Sequence, residues 1–415
     1  MRRRGVMAED ARVDVFGGVD THRDFHVAAV VDGAGRVLGT APFQADMAGY
    51  KQLEDWLGSW GCVSRVGVEG TGSYGAGLAR HLRRTGVEVV EVNRPSRQLR
   101  RRLGKTDAVD AEAAARSALG GQATARPKTA DGPVEGIRML GVARRSAVKA
   151  RTQAINQIHA LVVTAPEGVK HQLVGLPTQA RVKVCAGFRP RADHTTTFYA
   201  KKTLRYLARR YQALTAEITE LDTEIKRLCA RANPALLAAR GVGAHTAAAL
   251  LVAAGDNPQR MRTEASFAAL CGASPVQASS GQRIRHRLNR GGNRQANNAL
   301  WRIATTRMRW DPTTIAYTQR RQAEGKTRRE IIRCLKRHIA REIYQLLTNP
   351  TPTPDGNWLR NRRHQAQITL VHAAQQLHTH PTRLSQLELG RYHNHQLAVR
   401  YQQWLTTPVP QQNPI

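Results

Sequence analysis

The chain has few acidic residues, few aromatic residues and no long apolar run. Of its 415 residues, 31 are Asp or Glu against 64 Lys or Arg, and aromatic side chains make up 5%. No stretch approaches the roughly 20 apolar residues that cross a bilayer. Arg2-Arg3-Arg4 is followed by Glu9 and Asp10, where a signal peptide would have its apolar core. We therefore expect a cytoplasmic chain with no membrane partner.

Cysteine is scarce and scattered. The five cysteines are odd in number and never stand at C-x-x-C spacing; they are Cys62, Cys185, Cys229, Cys271 and Cys334. This usage excludes a zinc finger built on paired cysteines. It also indicates a reducing compartment, because secreted chains use cysteines in pairs as disulfides.

The shortage of acidic residues leaves a net charge of +33. The positive residues are spread along the chain, as in Arg97 to Arg102, Arg283 to Arg294 and Arg328 to Arg337. A chain does not need so large an excess merely to keep its surface hydrated. The charge therefore predicts a polyanionic partner, most simply nucleic acid.

The first 132 residues predict an α/β domain. The predicted strands are Val13 to Asp20, Phe25 to Val31, Arg36 to Phe43, Arg65 to Glu69 and Val87 to Val92. The predicted helices are Gln44 to Trp60, Tyr74 to Thr85 and an Ala-rich helix that Thr106 caps and Leu119 ends. Three strands in a meander, followed by alternating helices and strands, is the order of an RNase H-like domain.

Acidic residues stand at the ends of these elements. Asp20 ends the first strand and Glu69 the fourth, while Asp107 and Asp110 share one face of the last helix at its N-terminus. Taken singly, each is most simply a solvated residue at a strand or helix end. In an RNase H-like fold the first and fourth strands are neighbours, so all four carboxylates would converge. Together they predict a site for two divalent metal ions that cleaves phosphodiesters.

Three segments resemble the conserved blocks of the DEDD transposases. They are Gly18-Val19-Asp20-Thr21-His22-Arg23, Val68-Glu69-Gly70-Thr71-Gly72-Ser73-Tyr74 and Lys105-Thr106-Asp107-Ala108-Val109-Asp110-Ala111, with Asn93-Arg94-Pro95 before the third. The blocks occur in order and at matching spacing over residues 14 to 119. This family consists of insertion-sequence recombinases with an N-terminal RuvC-like domain, a C-terminal serine-bearing transposase domain and a bridge-RNA guide.

The middle of the chain, residues 133–230, predicts long helices. Gly136 to Thr164 is a basic helix that carries Arg144, Arg145 and Arg151, three candidate nucleic-acid contacts. Further on, apolar residues repeat at alternating spacings of three and four, at Leu204, Leu207, Tyr211, Leu214, Ile218, Leu221, Ile225 and Leu228. Such a seam is typical of a coiled coil. It predicts pairing either with the helix of residues 136–164 or with another subunit.

Residues 231–349 predict a mainly helical domain. Leu236 to Leu251 has the pattern helix, Gly241-Val242-Gly243 hairpin, helix, in which the second helix's amides can hold a DNA phosphate. An ordinary corner between two helices has the same pattern. A loop dense in Arg and Gly follows, with candidate nucleic-acid contacts at Arg283, Arg285, Arg287, Arg290, Asn293 and Arg294.

Ser280-Gly281 lies at the start of this loop. Judged from the residues alone, Ser-Gly is usually a turn. The resemblance implies more, because the family carries a nucleophilic serine in a Ser-Gly segment upstream of a basic Gly-Asn segment. Ser280-Gly281 and Arg290-Gly291-Gly292-Asn293 fit that description, and Ser279 is the adjacent alternative.

Residues 350–415 lie beyond the resemblance. Asn349-Pro350-Thr351-Pro352-Thr353-Pro354 predicts a stiff linker. The remainder is rich in Gln, His and Arg, and its His pairs lack the Cys or carboxylate ligands that would complete a metal site. We expect a solvated or weakly nucleic-acid-binding helical tail.

The resemblance implies an RNA-guided, site-specific DNA recombinase. Ser280 would attack a backbone phosphate, and Asp20, Glu69, Asp107 and Asp110 would hold Mg²⁺. The expected partners are donor and target DNA, a structured bridge RNA and further copies of the chain in a dimer or tetramer, at the nucleoid of a bacterium. Two alternatives stay open. One is an RNase H-like endonuclease that resolves junctions with the acidic cluster alone, and the other is a non-catalytic nucleic-acid-binding protein.

Overall fold

A computed structural model describes residues 13–92, 106–191, 194–281, 286–350, 354–392 and 394–406. The chain forms two compact units. The first contains the residues up to Asp131 together with Ala254–Thr263, and the second contains Gly132–Ala253 and the residues from Glu264 onward. Within the described ranges, no helix has the length and apolar character needed to span a bilayer.

The first unit is built on a mixed five-stranded sheet. Its strands are β1 (Asp14–Thr21), β2 (Phe25–Asp32), β3 (Val37–Gln44), β4 (Cys62–Glu69) and β5 (Val89–Val92). They lie in the order β3-β2-β1-β4-β5, with β1 antiparallel to β2 and parallel to β4. All five predicted strands are present, with ends shifted by at most three residues. The sheet and its helices fit the expected RNase H-like α/β domain.

Helices cover both faces of this sheet. α1 (Met47–Ser59) and α2 (Ala76–Arg84) pack on one face through an apolar core that includes Leu53, Leu78 and Leu82. α3 (Asp107–Leu119) covers the other face with alanines. As predicted, Thr106 caps α3: its side chain accepts a hydrogen bond from the backbone N–H of Val109 at 3.3 Å.

α3 approaches the sheet unusually closely, because glycines lie beneath it. A Cβ on Gly18 of β1 would lie 2.0 Å from the backbone nitrogen of Ala115, and one on Gly67 of β4 would lie 2.6 Å from the carbonyl oxygen of Ala114. Any larger side chain at either position would push α3 outward. Two glycines and a row of alanines therefore set how near the N-terminus of α3 comes to the ends of β1 and β4.

A late segment of the chain completes the first unit. Asn257 donates from Nδ2 to the carbonyl oxygen of Pro127 at 3.0 Å and accepts at Oδ1 from the backbone N–H of Thr129 at 3.2 Å. Arg260 donates to the carbonyl oxygen of Arg126 at 3.4 Å. Residues 254–263 thus bind the backbone of residues 126–129 through polar side chains.

Two long helices form the first part of the second unit. α4 (Pro133–Thr164) and α7 (Thr196–Ala232) run antiparallel and pack along their length, with the short helices α5 (Glu167–Lys170) and α6 (Thr178–Gly187) between them in sequence. The predicted seam residues of α7 are all buried or half-buried. Leu204 packs near Ile158, and Leu228 lies near Gly136. The seam therefore pairs with the basic helix of the same chain.

The second unit continues with shorter elements. They are α8 (Pro234–Ala238), α9 (Ala244–Ala254), a 3₁₀ turn (Pro258–Arg260) that belongs to the first unit, α10 (Glu264–Leu270), the two-stranded hairpin β6 (Val276–Gln277) and β7 (His286–Arg287), α11 (Arg294–Trp310), α12 (Pro312–Ala323) and α13 (Arg328–Thr348). The helix before the Gly241 turn has only five residues. A small hairpin stands where a loop was expected.

The last described part of the chain differs from the expected solvated tail. Four helices, α14 (Gly356–Gln365), α15 (Leu370–Gln376), α16 (Pro381–Glu388) and α17 (His395–Thr406), enclose their own apolar core. Leu359, Leu384 and Tyr401 are fully buried in it. The helical character was predicted correctly, but the solvated state was not, because each helix is too short to show a clear apolar period.

Candidate functional site

The alternation of side chains along a strand brings the predicted carboxylates together. Residues two apart on a strand point to the same face. Gly18 of β1 and Gly67 of β4 face α3, so Asp20 and Glu69, two residues further along, point to that face too. The hydroxyl of Thr21 donates to the carbonyl oxygen of Glu69 at 2.9 Å, which ties the two strand ends together.

The first turn of α3 adds the other two carboxylates. Asp107 and Asp110 lie one turn before the alanines that contact β1 and β4, and Asp110 is buried. All four residues that the sequence singled out therefore lie at one edge of the sheet.

A histidine that the sequence analysis did not assign joins this group. His22 Nε2 lies 3.3 Å from Asp20 Oδ2 and 3.3 Å from Asp107 Oδ1. Asp20, His22 and Asp107 thus offer three ligand atoms that lie within 4.8 Å of one another. His22 follows Asp20 by two residues, and residues two apart in an extended chain point to the same face. The sequence therefore already indicated that His22 lies near Asp20. What that spacing could not supply is the contact with Asp107 on α3.

The electrostatics of the group favour a cation. Burial raises the pKa of the Asp20 carboxyl; nearby His22 counteracts this, while Glu69, Asp110 and Asp107 raise the pKa further. Among the described residues, three carboxylates and one imidazole therefore act on the buried Asp20 carboxyl, a balance that favours a bound cation. Carboxylate oxygens are the ligands that hard divalent cations prefer, and an imidazole nitrogen is compatible with several of them. The donor set therefore fits a divalent metal ion.

Ser280 lies in the second unit, on the connection between β6 and β7. Its side chain is exposed, and Gly281 beside it has φ = 54°, a left-handed conformation that favours glycine. The neighbouring Ser279 accepts a hydrogen bond from Gln277 Nε2 at 3.2 Å. Ser280 is thus open to a substrate. Arg283 and Arg285, two of the candidate nucleic-acid contacts in this loop, lie outside the described residues.

The segment that follows β7 packs against the chain before β6 through a close backbone contact between two glycines. A Cβ on Gly292 would lie 2.3 Å from the backbone nitrogen of Gly272, so the two stretches touch where neither has a side chain. Asn293 caps α11, accepting from the N–H groups of Gln295 and Ala296 at 3.0 Å each. Asn293 therefore has a structural role besides its predicted nucleic-acid contact. Arg287 and Arg290 are exposed.

Several of the predicted basic residues line one cavity of the second unit. It has a volume of about 730 Å³ and lies among α4, α7, α9 and α11. Its wall contains Arg145 and Arg294, together with Arg138 and Arg302, which the sequence analysis did not single out. Arg151 is placed elsewhere on α4, over the ring of Tyr211. The cavity concentrates positive charge of the kind that binds phosphates.

Arg144 in the same cavity is already paired. It donates to Asp222 of α7, and its Nη2 lies 3.0 Å from His245 Nε2, which must accept because a guanidinium only donates. Burial lowers the pKa of His245, and Arg144 lowers it further. The lowered pKa keeps His245 neutral. The ion pair with Asp222 holds the Arg144 side chain in a fixed position.

Two stretches of the chain match models of known families. Residues 17–165 match the model of DEDD transposases of the IS110 type, described as transposase. Residues 233–319 match a second model, described as the transposase IS116/IS110/IS902 family. The first stretch contains the four carboxylates and His22, and the second contains Ser280 and the basic segment after it.

A relative from Streptomyces coelicolor, named insertion element IS110 uncharacterized 43.6 kDa protein, is similar to part of the chain. The two are 36% identical over 120 residues. That stretch covers 29% of this chain and 29% of the relative. The similarity to this protein therefore concerns less than a third of either chain.

Proposed function

Because the chain belongs to the IS110-type family of DEDD transposases, we propose that it recombines DNA, cutting and exchanging strands between the ends of an insertion element and a target site. The observation that carries the proposal is the meeting of four carboxylates and His22 at one sheet edge, inside the first family match. Such a group suits the chemistry of phosphodiesters. It would act on DNA in a bacterial cytoplasm, at the nucleoid.

In this proposal Asp20, Glu69, Asp107 and Asp110 hold Mg²⁺. Bound there, the metal would supply positive charge that polarises a phosphate and stabilises a leaving oxygen. The protein's own contribution is to keep the carboxylates close despite their repulsion, through the rigid contact of α3 with Gly18 and Gly67. His22 lies between Asp20 and Asp107 and orients both, or joins them as a ligand.

Ser280 is the proposed nucleophile. Its hydroxyl oxygen attacks a DNA phosphorus and forms a phosphoserine link. The bond from that phosphorus to the leaving strand's oxygen breaks, and the serine proton ends on this oxygen, which becomes a free hydroxyl. Exposure on a hairpin and the glycine that follows support this role. Arg287 and Arg290 follow in the same segment, and Arg283 and Arg285 precede them in sequence; their charges would neutralise the phosphate under attack. In the family, the RuvC-like domain of one subunit and the serine domain of another form one composite site. The same arrangement here would require a dimer or tetramer to bring the serine and the carboxylates together.

The guide of the proposed reaction is a structured bridge RNA. The net charge of +33 and the arginine-lined cavity in the second unit support binding to nucleic-acid backbones. If more than about six phosphates are contacted, log Kd for the RNA should rise with log salt concentration at a slope above about 5. A shallow slope would mean that the excess charge lies away from the RNA.

The test of the proposed reaction is the covalent link. Wild type, Ser280→Ala and Ser279→Ala are incubated with guide RNA, Mg²⁺ and end-labelled target DNA, then denatured. We expect labelled protein with wild type and Ser279→Ala, and none with Ser280→Ala. An adduct formed by Ser280→Ala would show that another residue is the nucleophile. DNA cleavage by all three without any adduct would favour the junction-resolving nuclease.

The acidic site has its own control. Asp20→Asn should abolish strand exchange and leave RNA binding unchanged, because it removes a ligand without altering the positive surface. Asp24→Asn changes an exposed aspartate four residues away and should keep full activity. Equal recombination by both variants would remove Asp20 from the mechanism. Neither variant recombining DNA, with both folded, would mean that the loss is not specific to the site.

A further inference from the structure

The four C-terminal helices contain an element that the proposed reaction does not use. α15 and α16 are joined by only four residues, Leu377 to His380, and pack against each other. The turn is tight: His378 has φ = 51°, and the backbone N–H of Thr379 donates to the carbonyl oxygen of Ala374 at 2.9 Å. Two helices joined by so short a turn are the pattern from which a helix-turn-helix is built.

One side of α16, the second helix of this pair, packs against the other C-terminal helices. Leu384 and Leu387 of α16 are buried in the apolar core. Glu388 at its C-terminus accepts from Arg363 of α14 at 2.8 and 2.9 Å and from the hydroxyl of Tyr401 of α17 at 2.7 Å. α16 is therefore fixed in rotation as well as in position.

The opposite side of α16 is exposed and polar. Thr382, Arg383 and Gln386 are exposed on it, and His380 caps the helix at its N-terminus. In the major groove, Arg can form two hydrogen bonds with the edge of a guanine, and Gln can form two with the edge of an adenine. No structural need of the four helices accounts for this combination, since none of the three side chains packs in the core.

The charge around this helix suits a polyanion. Between residues 354 and 406 the only carboxylates are Asp355 and Glu388. Asp355 caps α14, and Glu388 is buried with Arg363. The exposed cationic side chains of the described residues there are Arg360, Arg362, Arg383, Arg391 and Arg400. No exposed negative charge opposes the approach of a phosphate backbone apart from the helix cap at Asp355.

We propose that residues 354–406 form a helix-turn-helix module that reads duplex DNA by sequence, with α16 in the major groove. Arg383 and Gln386 would contact base edges, and Thr382 and the surrounding arginines would contact the backbone. This DNA contact needs no guide RNA. It adds a second source of site selection, and the element's own ends are the natural candidates for such a fixed sequence.

Duplex DNA fits this surface better than RNA. The major groove of B-form DNA is about 12 Å wide and accepts a helix, whereas the major groove of A-form RNA is too narrow for side chains to read. The described part of residues 354–406 exposes Trp358 on α14 as its large aromatic ring, with no aromatic side chain on α16 for stacking unpaired bases. The surface therefore lacks the aromatic platform typical of proteins that bind single strands.

The experiment uses the full-length protein without guide RNA. Wild type selects from a library of random duplex DNA in the presence of unrelated competitor DNA, and bound sequences are read out. Arg383→Ala and Gln386→Ala are compared with Arg360→Ala, which removes the same positive charge from α14. Because all three side chains are exposed, their removal should leave the fold intact. The thermal midpoint of each variant checks this.

We expect wild type to enrich one short motif. Arg383→Ala should weaken binding to that motif by roughly ten- to a hundredfold and relax its base preference at one position, with much less effect on unrelated DNA. Gln386→Ala should change the preference at another position. Arg360→Ala should weaken binding to all DNA alike, within a few fold, and keep the motif.

Three results would overturn the proposal. The first is that no motif is enriched. The second is that the motif is enriched and survives unchanged in Arg383→Ala and Gln386→Ala, which would assign it to another part of the chain. The third is that RNA of the same sequence competes as well as the duplex DNA, which would make the module an RNA-binding surface.

Discussion

Asp20 and Glu388 are both buried carboxylates, and their surroundings are opposite. Asp20 is 8% exposed and Glu388 is 3% exposed. Glu388 receives two hydrogen bonds from Arg363 and one from Tyr401. Among the described residues, Asp20 instead has three further carboxylates near it and His22 as the group that opposes them.

The difference separates a charge that stabilises the fold from one that we propose to be functional. A buried carboxylate costs little when a matched cation and a hydroxyl satisfy it, and its neighbours then hold several helices in register. A buried carboxylate among like charges destabilises the fold. Such unfavourable arrangements are typical of functional sites, where a bound ion or substrate interacts with the charge. In this protein the compensated charge lies in the four C-terminal helices and the uncompensated one in the proposed metal site.

The largest effect should come from breaking the compensated pair. Glu388→Ala leaves Arg363 buried without its partner and should destabilise the four C-terminal helices by about 3–5 kcal/mol. Hydrogen exchange of amides in residues 356–406 measures this local loss. The double variant Arg363→Met, Glu388→Leu removes both charges and should recover much of the stability. A single variant as stable as wild type would mean that the pair is not effectively buried.

A smaller effect should follow from filling the uncompensated site. At a Mg²⁺ concentration ten times its Kd, binding to the folded state adds about 1.4 kcal/mol, or roughly 3–6 °C in the thermal midpoint of a unit of this size. Asp20→Asn should lose most of this shift. Asp24→Asn should keep it. An equal shift in all three proteins would place the metal elsewhere.

The smallest expected effect is a gain in stability, whereas the first prediction is a loss. In chelating buffer at neutral pH, Asp20→Asn should stabilise the first unit by about 1 kcal/mol, because it removes a buried charge from like neighbours. A carboxyl pKa raised in the folded state weakens the fold above that pKa, and the penalty disappears as pH falls through it. The advantage of Asp20→Asn over wild type should therefore shrink towards the ordinary aspartate range. An advantage independent of pH would contradict the charge explanation.

The sequence predicted that the four carboxylates meet at one sheet edge, and it contained no sign of the buried pair Arg363 and Glu388. Asp20 and Glu69 stand where strands end, and Asp107 and Asp110 where a capped helix begins, so local patterns were enough. Arg363 and Glu388 are 25 residues apart on short helices with no clear apolar period. Nothing local distinguishes them from solvated charges, and only the packing of α14 on α16 reveals the pair.

The long seam illustrates a different limit. Its spacing predicted that α7 pairs with a helix, but a seam of leucines and isoleucines fits a partner in the same chain or in another. The structure has α4 in that place, and polar contacts such as Arg144 with Asp222 help set the register. Whether further copies of the chain assemble stays a prediction.

The return of residues 254–263 to the first unit has a consequence for synthesis. Asn257 and Arg260 supply hydrogen bonds to the backbone of residues 126–129, so these bonds cannot form until the ribosome has passed residue 263. At 5–20 residues per second, the 132 residues from 131 to 263 take roughly 7–26 s. During that interval the first unit of the nascent chain is incomplete. A growing chain would therefore lack these hydrogen bonds until residues 132–253 of its second unit have been translated.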